Sequence, residues 1–193
     1  MSPDPASPPT ASATGSASTP ASPPVWFRTR FFVIALVVFC LDQITKGIIQ
    51  RMPERVSITV IPHFFYLVHV ENAGAAFGLF QASPSPFKSV FLIGFSVLAL
   101  VVVFILLWRH SQTARTGWAL ALIFGGACGN LFDRVLRGSV VDFLLFNLGR
   151  YEWPAFNIAD SAICIGAALL VWEILRSQSA APAPAAPEPR PES

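Results

Sequence analysis

The sequence predicts an all-α membrane protein built as a bundle of four transmembrane helices. Hydrophobic residues make up 53% of the 193 residues and charged residues only 12%, about half of the roughly 25% that is usual in soluble domains. The apolar residues are concentrated in four stretches, each close to the ~20 residues that a helix needs to cross a bilayer. These stretches are residues 26–50, 87–108, 117–136 and 156–175.

The four stretches differ in how uniformly apolar they are. The second reads SVFLIGFSVLALVVVFILLW between Lys88 and Arg109 and contains no charged residue. It is unusually long and apolar for a core helix of a soluble protein, so a spanning helix is favoured. Each of the other three stretches carries charge near one end. Because a carboxylate at the bilayer centre costs roughly 2.5–3.5 kcal/mol on insertion scales, these charges indicate a function.

The connection after the first helix is predicted to form a small β-sheet. Residues 51–86 include RVSITVIPHFFYLVHVENAGAAFGLF, which is rich in the β-branched and aromatic residues typical of strands. Aromatic side chains of this kind also suit a membrane interface. We therefore expect a small sheet between helices 1 and 2 that lies on the bilayer surface.

The two ends of the chain are predicted to be disordered tails on either side of one membrane-embedded domain. Residues 1–25 and 178–193 are rich in Ala, Pro and Ser, lack periodicity and cannot bury a core. The domain between them is residues 26–177. Four spans place both termini on the same side of the membrane, but the Lys and Arg residues are divided almost equally between the two sides and do not give the orientation.

Helix 1 carries an acid and a base near its end. The motif DQITK places Asp42 and Lys46 one turn apart on the same face, in the favourable order of acid before base. Two interpretations are about equally supported. The residues are either a self-neutralising pair that tethers the helix end or members of an active site.

Helix 3 carries a second polar cluster. The motif GGACGNLFDR places Asn130, Asp133 and Arg134 within reach of one face, where a local ion pair between the last two is plausible. In the same motif Gly125 and Gly129 form a G-x-x-x-G surface, which predicts close packing of another helix.

Two further aspartates lie on either side of the chain's re-entry into helix 4. Asp142 occurs in GSVVDFLLF, and Asp160 in FNIAD shares a helical face with Asn157. The two are 160 − 142 = 18 residues apart, with the turn-like NLGRYEWP between them, so they could meet where the chain leaves and re-enters the bilayer. Two carboxyl groups that share a proton provide an acid and a base, as in aspartic proteases. Spacing alone leaves other pairings of acidic residues open.

Five motifs, in this order, resemble those of the lipoprotein signal peptidases, also called signal peptidase II. They are DQITK, ENAGAAFG, GGACGNLFDR, VVDF and FNIADS, spread over residues 42–161. The resemblance implies an aspartic endopeptidase that spans the bacterial cytoplasmic (inner) membrane several times. Its implied substrate is a diacylglyceryl-modified prolipoprotein, whose signal peptide is cleaved off just before the lipidated cysteine. Both termini are implied to be cytoplasmic, with the sheet outside the cytoplasm and the active site near the outer face.

The resemblance also implies which residues form the site. The catalytic dyad corresponds to Asp142 and Asp160. The residues that match the polar lining of the site and the helix 1 motif are Asn72, Asn130, Arg134, Asn157, Asp42 and Lys46. We assign Asp133 to a structural pair with Arg134 or a neighbouring donor. We expect no cofactor, metal or nucleic acid, and a monomer surrounded by membrane lipid.

Other membrane chemistries fit the sequence less well. A zinc protease needs a His-Glu-x-x-His stretch, but His63, His69 and His110 are scattered. A serine–lysine peptidase has only Lys46 and Lys88 available, and no serine lies one turn from Lys46. The Gly-x-Gly-Asp motif of presenilin-type proteases is absent. A small proton-coupled transporter remains the alternative, because it would also place carboxylates in its spans.

Overall fold

A computed structural model describes residues 25–53, 56–74, 86–109 and 113–179 of the chain. It contains the four predicted helices, all long and apolar enough to cross a membrane. Their ends differ from the predicted bounds by a few residues, which is usual for helix ends. The helices are α1 (Val25–Ile49), α2 (Pro86–Arg109), α3 (Ala114–Leu136) and α4 (Ile158–Ser179).

A four-stranded antiparallel sheet, with strands in the order β1-β2-β3-β4, covers one end of the helices. The strands are β1 (Ser57–Ile61), β2 (Phe65–Asn72), β3 (Val140–Leu148) and β4 (Tyr151–Phe156). Only β1 and β2 lie between α1 and α2, where the sequence predicted a sheet. The other two strands form a hairpin between α3 and α4, in a segment that the sequence indicated only as a turn.

Glycines at two turns and a row of phenylalanines explain the second hairpin. Gly138 and Gly149 have φ angles of +79° and +76°, which glycine adopts without steric cost, and they reverse the chain between α3 and β3 and between β3 and β4. On the sheet, Phe146 stacks on Phe65 of β2 at 4.7 Å and on Phe156 of β4 at 5.8 Å between ring centroids. These ring contacts connect β3 to strands from both halves of the chain.

Helix α3 is the centre of the bundle and packs against α1, α2 and α4. Its glycines allow the close approach that the sequence predicted. A Cβ atom on Gly125 would lie 2.5 Å from the backbone oxygen of Ala35 in α1, and one on Gly126 would lie 2.5 Å from that of Ala159 in α4. The backbones of three helices therefore meet around one stretch of α3.

Most of the predicted tails lie outside the described residues, namely residues 1–24 and 180–193. The same is true of residues 75–85, which contain the second half of the ENAGAAFG motif and the entry to α2. The site described below is therefore built from residues of α1, the end of β2, α3, β3 and the start of α4.

Candidate active site

Asp142 lies on β3, on the side of the sheet that meets the helices. Its neighbours Val141 and Phe143 are buried with Ile49 from the end of α1 in one apolar cluster, which fixes the strand against the bundle. The antiparallel pairing places Asp142 opposite Val70 of β2. The aspartate side chain is itself buried, with 3% of its surface exposed.

Two asparagine amides donate hydrogen bonds to the Asp142 carboxyl group. Asn157 Nδ2 lies 2.7 Å from Oδ1, and Asn72 Nδ2 lies 3.0 Å from Oδ2. Asn72 is the last residue of β2, and Asn157 immediately precedes α4. Both oxygens of the carboxyl group thus have a donor, and the donors come from different parts of the chain.

Burial raises the pKa of Asp142 from 3.8 to about 6. Loss of hydration disfavours the carboxylate, and the nearby negative charge of Asp160 adds to this effect. The hydrogen bonds from Asn72 and Asn157 and the positive charge of Lys46 act in the opposite direction. A carboxyl group with a pKa near 6 can exchange a proton close to neutral pH.

Asp160 lies in the first turn of α4, and two asparagines hold it there. Asn157 caps the helix, because its Oδ1 accepts the backbone N–H of Asp160 at 2.9 Å. Asn130 of α3 donates from Nδ2 to Asp160 Oδ1 at 2.7 Å. A helix N-terminus stabilises negative charge. The structure therefore brings Asp142 and Asp160 into one polar site, joined by Asn157.

Next to this site, Lys46 is completely buried among polar partners. Its Nζ lies 2.7 Å from Asp42 Oδ2 and 2.7 Å from Asp133 Oδ2, and it donates to Asn130 Oδ1 at 3.0 Å. The two carboxylates have no exposed surface either. Asp42 and Lys46 of helix 1 therefore form the ion pair that their spacing indicated. Asp133 and Asn130 of α3 add to it, and Asn130 connects this buried ionic cluster to Asp160.

Asp133 is not paired with Arg134. Besides Lys46, its partner is Arg137, whose Nη1 donates to Asp133 Oδ1. The sequence left open a pair with Arg134 or with a neighbouring donor, and in the structure the partner is the neighbouring donor Arg137. The prediction of a local ion pair between Asp133 and Arg134 is wrong, because successive side chains of a helix point in different directions. Arg134 instead donates to the backbone oxygen of Asn130 at 3.2 Å. The negative charges of Asp160, Asp142 and, least, Asp133 act on it through space.

Sequence reasoning missed two members of the ionic cluster, Gln43 and Arg137. The Gln43 amide donates to Asp42 Oδ2 and Asp133 Oδ1, both at 3.1 Å, and accepts from Arg137 Nη1 at 3.1 Å. The spacing of four residues between Asp133 and Arg137 was a usable signal, since such pairs face each other on a helix. Nothing in the sequence pointed to Gln43, because two of its partners, Asp133 and Arg137, are about 90 residues away in the chain.

The described part of the chain contains no group of three or more His, Cys, Asp or Glu residues placed to hold a metal ion. The polar site is instead made of carboxyl groups, amides and one guanidinium group. Such a set can transfer protons between two acids and can donate hydrogen bonds to peptide carbonyls.

Comparison with known proteins identifies the family. The profile described as "Signal peptidase (SPase) II" matches residues 34–176, which include all five motifs. The lipoprotein signal peptidase of Janthinobacterium sp. (strain Marseille) is 48% identical over 143 residues, which are 74% of this chain and 86% of the relative. That of Bacillus pumilus (strain SAFR-032) is 44% identical over 147 residues, or 75% of this chain and 92% of the relative.

The chain belongs to the signal peptidase II family.

Solved structures agree with this assignment. A bacterial membrane enzyme determined by the in meso method at 2.3 Å resolution superposes with a TM-score of 0.73 and 34% sequence identity, covering 82% of this chain and 95% of its own. A second, at 1.9 Å resolution, gives a TM-score of 0.69 at 36% identity. The four apolar helices and this family fit a multi-pass protein of the bacterial inner membrane. The transporter alternative rested on the carboxylates in the spans, and membership of a peptidase family accounts for these carboxylates.

Proposed function

We propose that this chain is an intramembrane aspartic endopeptidase that removes the signal peptide from diacylglyceryl-modified prolipoproteins, cleaving before the lipidated cysteine, with Asp142 and Asp160 as its dyad. The observation that carries the proposal is the arrangement around Asn157. Its side chain donates to Asp142 Oδ1 at 2.7 Å and accepts from the backbone of Asp160 at 2.9 Å. One buried amide thus joins the two elements that carry the acids.

The chemistry follows from one protonated and one ionised carboxyl group. The carboxylate accepts a proton from water as the water oxygen attacks the carbonyl carbon of the scissile peptide bond. The other carboxyl group donates its proton to the carbonyl oxygen, which gives a tetrahedral diol. Return of one proton to the amine nitrogen and removal of one from a hydroxyl group break the C–N bond. The products are an acid and an amine, and the dyad regains its starting protonation.

The other polar residues hold the dyad and the substrate. Asn72 and Asn157 donate to Asp142, and Asn130 donates to Asp160. Arg134 donates to the backbone oxygen of Asn130, and the charges of both dyad aspartates act on it. Its guanidinium group suits an extended peptide's carbonyl oxygens or the charge of the tetrahedral intermediate. We assign no direct chemical role to the buried ionic cluster next to them, which includes Asp42, Lys46 and Asp133.

The orientation in the membrane follows the same proposal. The dyad lies where α1 ends and α4 begins, so the N-terminus of α1 and the C-terminus of α4 are at the opposite end of the bundle. We place both termini in the cytoplasm and the sheet on the outer surface of the bilayer, where a lipid-anchored substrate presents its scissile bond. The enzyme acts as a monomer surrounded by membrane lipid and uses no cofactor.

Three aspartate variants test the assignment of the dyad. Asp142→Asn and Asp160→Asn each remove an ionisable proton, so each should abolish cleavage of a lipid-modified prolipoprotein by purified enzyme in single-turnover assays. Asp133→Asn is the matched control, because it removes a buried carboxylate that does not contact the dyad. We expect it to lower the rate or the melting temperature without eliminating turnover. Cleavage by the Asp142 variant, together with none by a well-folded Asp133 variant, would move the dyad to Asp133 and Asp160.

A further inference from the structure

Two of the three asparagines at the dyad are held in one orientation by backbone donors. Asn72 Oδ1 accepts the backbone N–H of Gly74 at 2.9 Å, and Asn157 Oδ1 accepts that of Asp160 at 2.9 Å. A backbone N–H can only donate, so each amide must present its oxygen there and its NH₂ group on the other side. On that side both amides meet Asp142.

The third asparagine, Asn130, is held by a side chain. Its Oδ1 accepts from Lys46 Nζ at 3.0 Å and from Asn157 Nδ2 at 3.3 Å. A lysine ammonium has three donors and no acceptor, so the reversed amide would place its NH₂ group against another donor. Lys46, at the shorter distance, and Asn157 therefore both favour the orientation in which Asn130 presents Nδ2 to Asp160, which it meets at 2.7 Å.

Lys46 also reaches Asp160 by a second route. Its Nζ pairs with Asp42 Oδ2 at 2.7 Å, and the other oxygen of Asp42 accepts the backbone N–H of Ala159 at 2.9 Å. Ala159 is the residue before Asp160 in the first turn of α4. With the ion pair to Asp133 at 2.7 Å, the ammonium group has three polar neighbours, two carboxylates and the amide oxygen of Asn130.

We propose that Lys46 is a positioning residue for Asp160. Together with Asn157 it orients Asn130, the donor on the Asp160 carboxyl group, and through Asp42 it holds the backbone turn that carries this group. Lys46 has no exposed surface, so it acts through these neighbours and not by contact with the substrate. The inference rests on the proposed function, because it concerns the same dyad.

Loss of the Lys46 charge should be visible in the pH dependence of cleavage. The charged groups that act on Asp142 are Asp160 on α4, Arg134 on α3 and Lys46 on α1. The Lys46 ammonium lowers the pKa of Asp142, so its removal should raise that pKa. Loss of the fixed Asn130 donor also disfavours the ionised dyad. Both effects move the pH–rate profile to higher pH. Substitution of a residue needed only for folding would not move the profile.

A charge-balanced double variant provides the test. In the native cluster Lys46 and Arg137 balance Asp42 and Asp133. The double variant Lys46→Met with Asp133→Asn removes one positive and one negative charge. The single variant Asp133→Asn keeps the Lys46 ammonium group and its hydrogen bond to Asn130. We expect the double variant to lose roughly 10- to 100-fold in kcat, as for misplaced catalytic groups, with a smaller change in KM and a profile shifted to higher pH. The single variant should keep the wild-type profile position.

The outcomes separate this inference from the proposed function. A folded double variant with the kcat and the pH profile of Asp133→Asn would overturn the role of Lys46. If methionine prevents folding, Lys46→Gln with Asp133→Asn replaces it, because glutamine fills the space and can pair with Asn130 in either orientation. Wild-type enzyme and Asp142→Asn are measured in parallel. Failure of the wild type to cleave, or cleavage by the Asp142 variant, would overturn the proposed function instead.

Discussion

Substitution of Asn72 by alanine should move the pH–rate profile of this enzyme upward. Asn72 Nδ2 donates to Asp142 Oδ2 at 3.0 Å, and a donor on a carboxylate stabilises its charged form. Without this donor the pKa of Asp142 should rise further above about 6. The part of the profile that Asp142 controls should rise with it, whether Asp142 acts as the acid or as the base.

The size of the shift follows from the hydrogen bond. A hydrogen bond to a charged group contributes about 1.5–3 kcal/mol, and about 1.36 kcal/mol corresponds to one pKa unit. Asn72 is half-buried, so water can partly replace its amide and the lower end of this range applies. We therefore expect a shift of about one pH unit. The dyad titrates as a pair, so the shift belongs to its apparent value.

The assay is single-turnover cleavage of a synthetic diacylglyceryl peptide over roughly pH 4–9, a range that covers both limbs of an acid–base profile. Asn147→Ala is a matched control, since Asn147 is a half-buried asparagine of the same sheet, in the part of β3 that pairs with Glu152 of β4. Its profile should coincide with that of the wild type. An Asn72 variant whose profile stays in place, or moves to lower pH, would refute the proposed action of this donor on Asp142.

Two further predictions concern the bundle and the tails. Gly126→Leu should lower the melting temperature in detergent, because its side chain would meet the backbone of Ala159 and overpacking costs about 1–3 kcal/mol or more. Gly47→Leu is the control, since a Cβ there has no neighbour within 4 Å, and equal melting temperatures would contradict the packing argument. A protein limited to residues 26–177 should cleave its substrate at the wild-type rate once inserted, because the described polar residues of the site all lie between Asp42 and Asp160 and the Ala-, Pro- and Ser-rich tails cannot bury a core. A correctly inserted but inactive truncated protein would disprove this.

The sequence by itself determined the four helices of the bundle. Their signal is local, because about 20 consecutive apolar residues identify a span whatever packs against it. The glycines of α3 could also be interpreted in advance, since small residues one turn apart permit close contact in any bundle. The family could be identified from five short motifs in order, and the match over residues 34–176 confirms it.

Only the tertiary structure decided how the sheet is assembled. Pairing between β2 and β3 joins Asn72 to Val140, residues that are far apart in the sequence, and no local pattern specifies such a pairing. The segment between Asp142 and Asp160 therefore resembled a simple turn, although it forms a hairpin that completes the sheet.

The tertiary structure also decided which polar groups meet. Spacing along a helix could place Asp42 beside Lys46, but it could not show that Asp133 and Asn130 approach the same ammonium group from α3. Adjacent charges in the sequence suggested a pair of Asp133 with Arg134, whereas the helix directs them to different partners. Local patterns set which residues share a face. The orientation of each buried amide depends on donors from other elements, and these are fixed only when the helices and strands pack together.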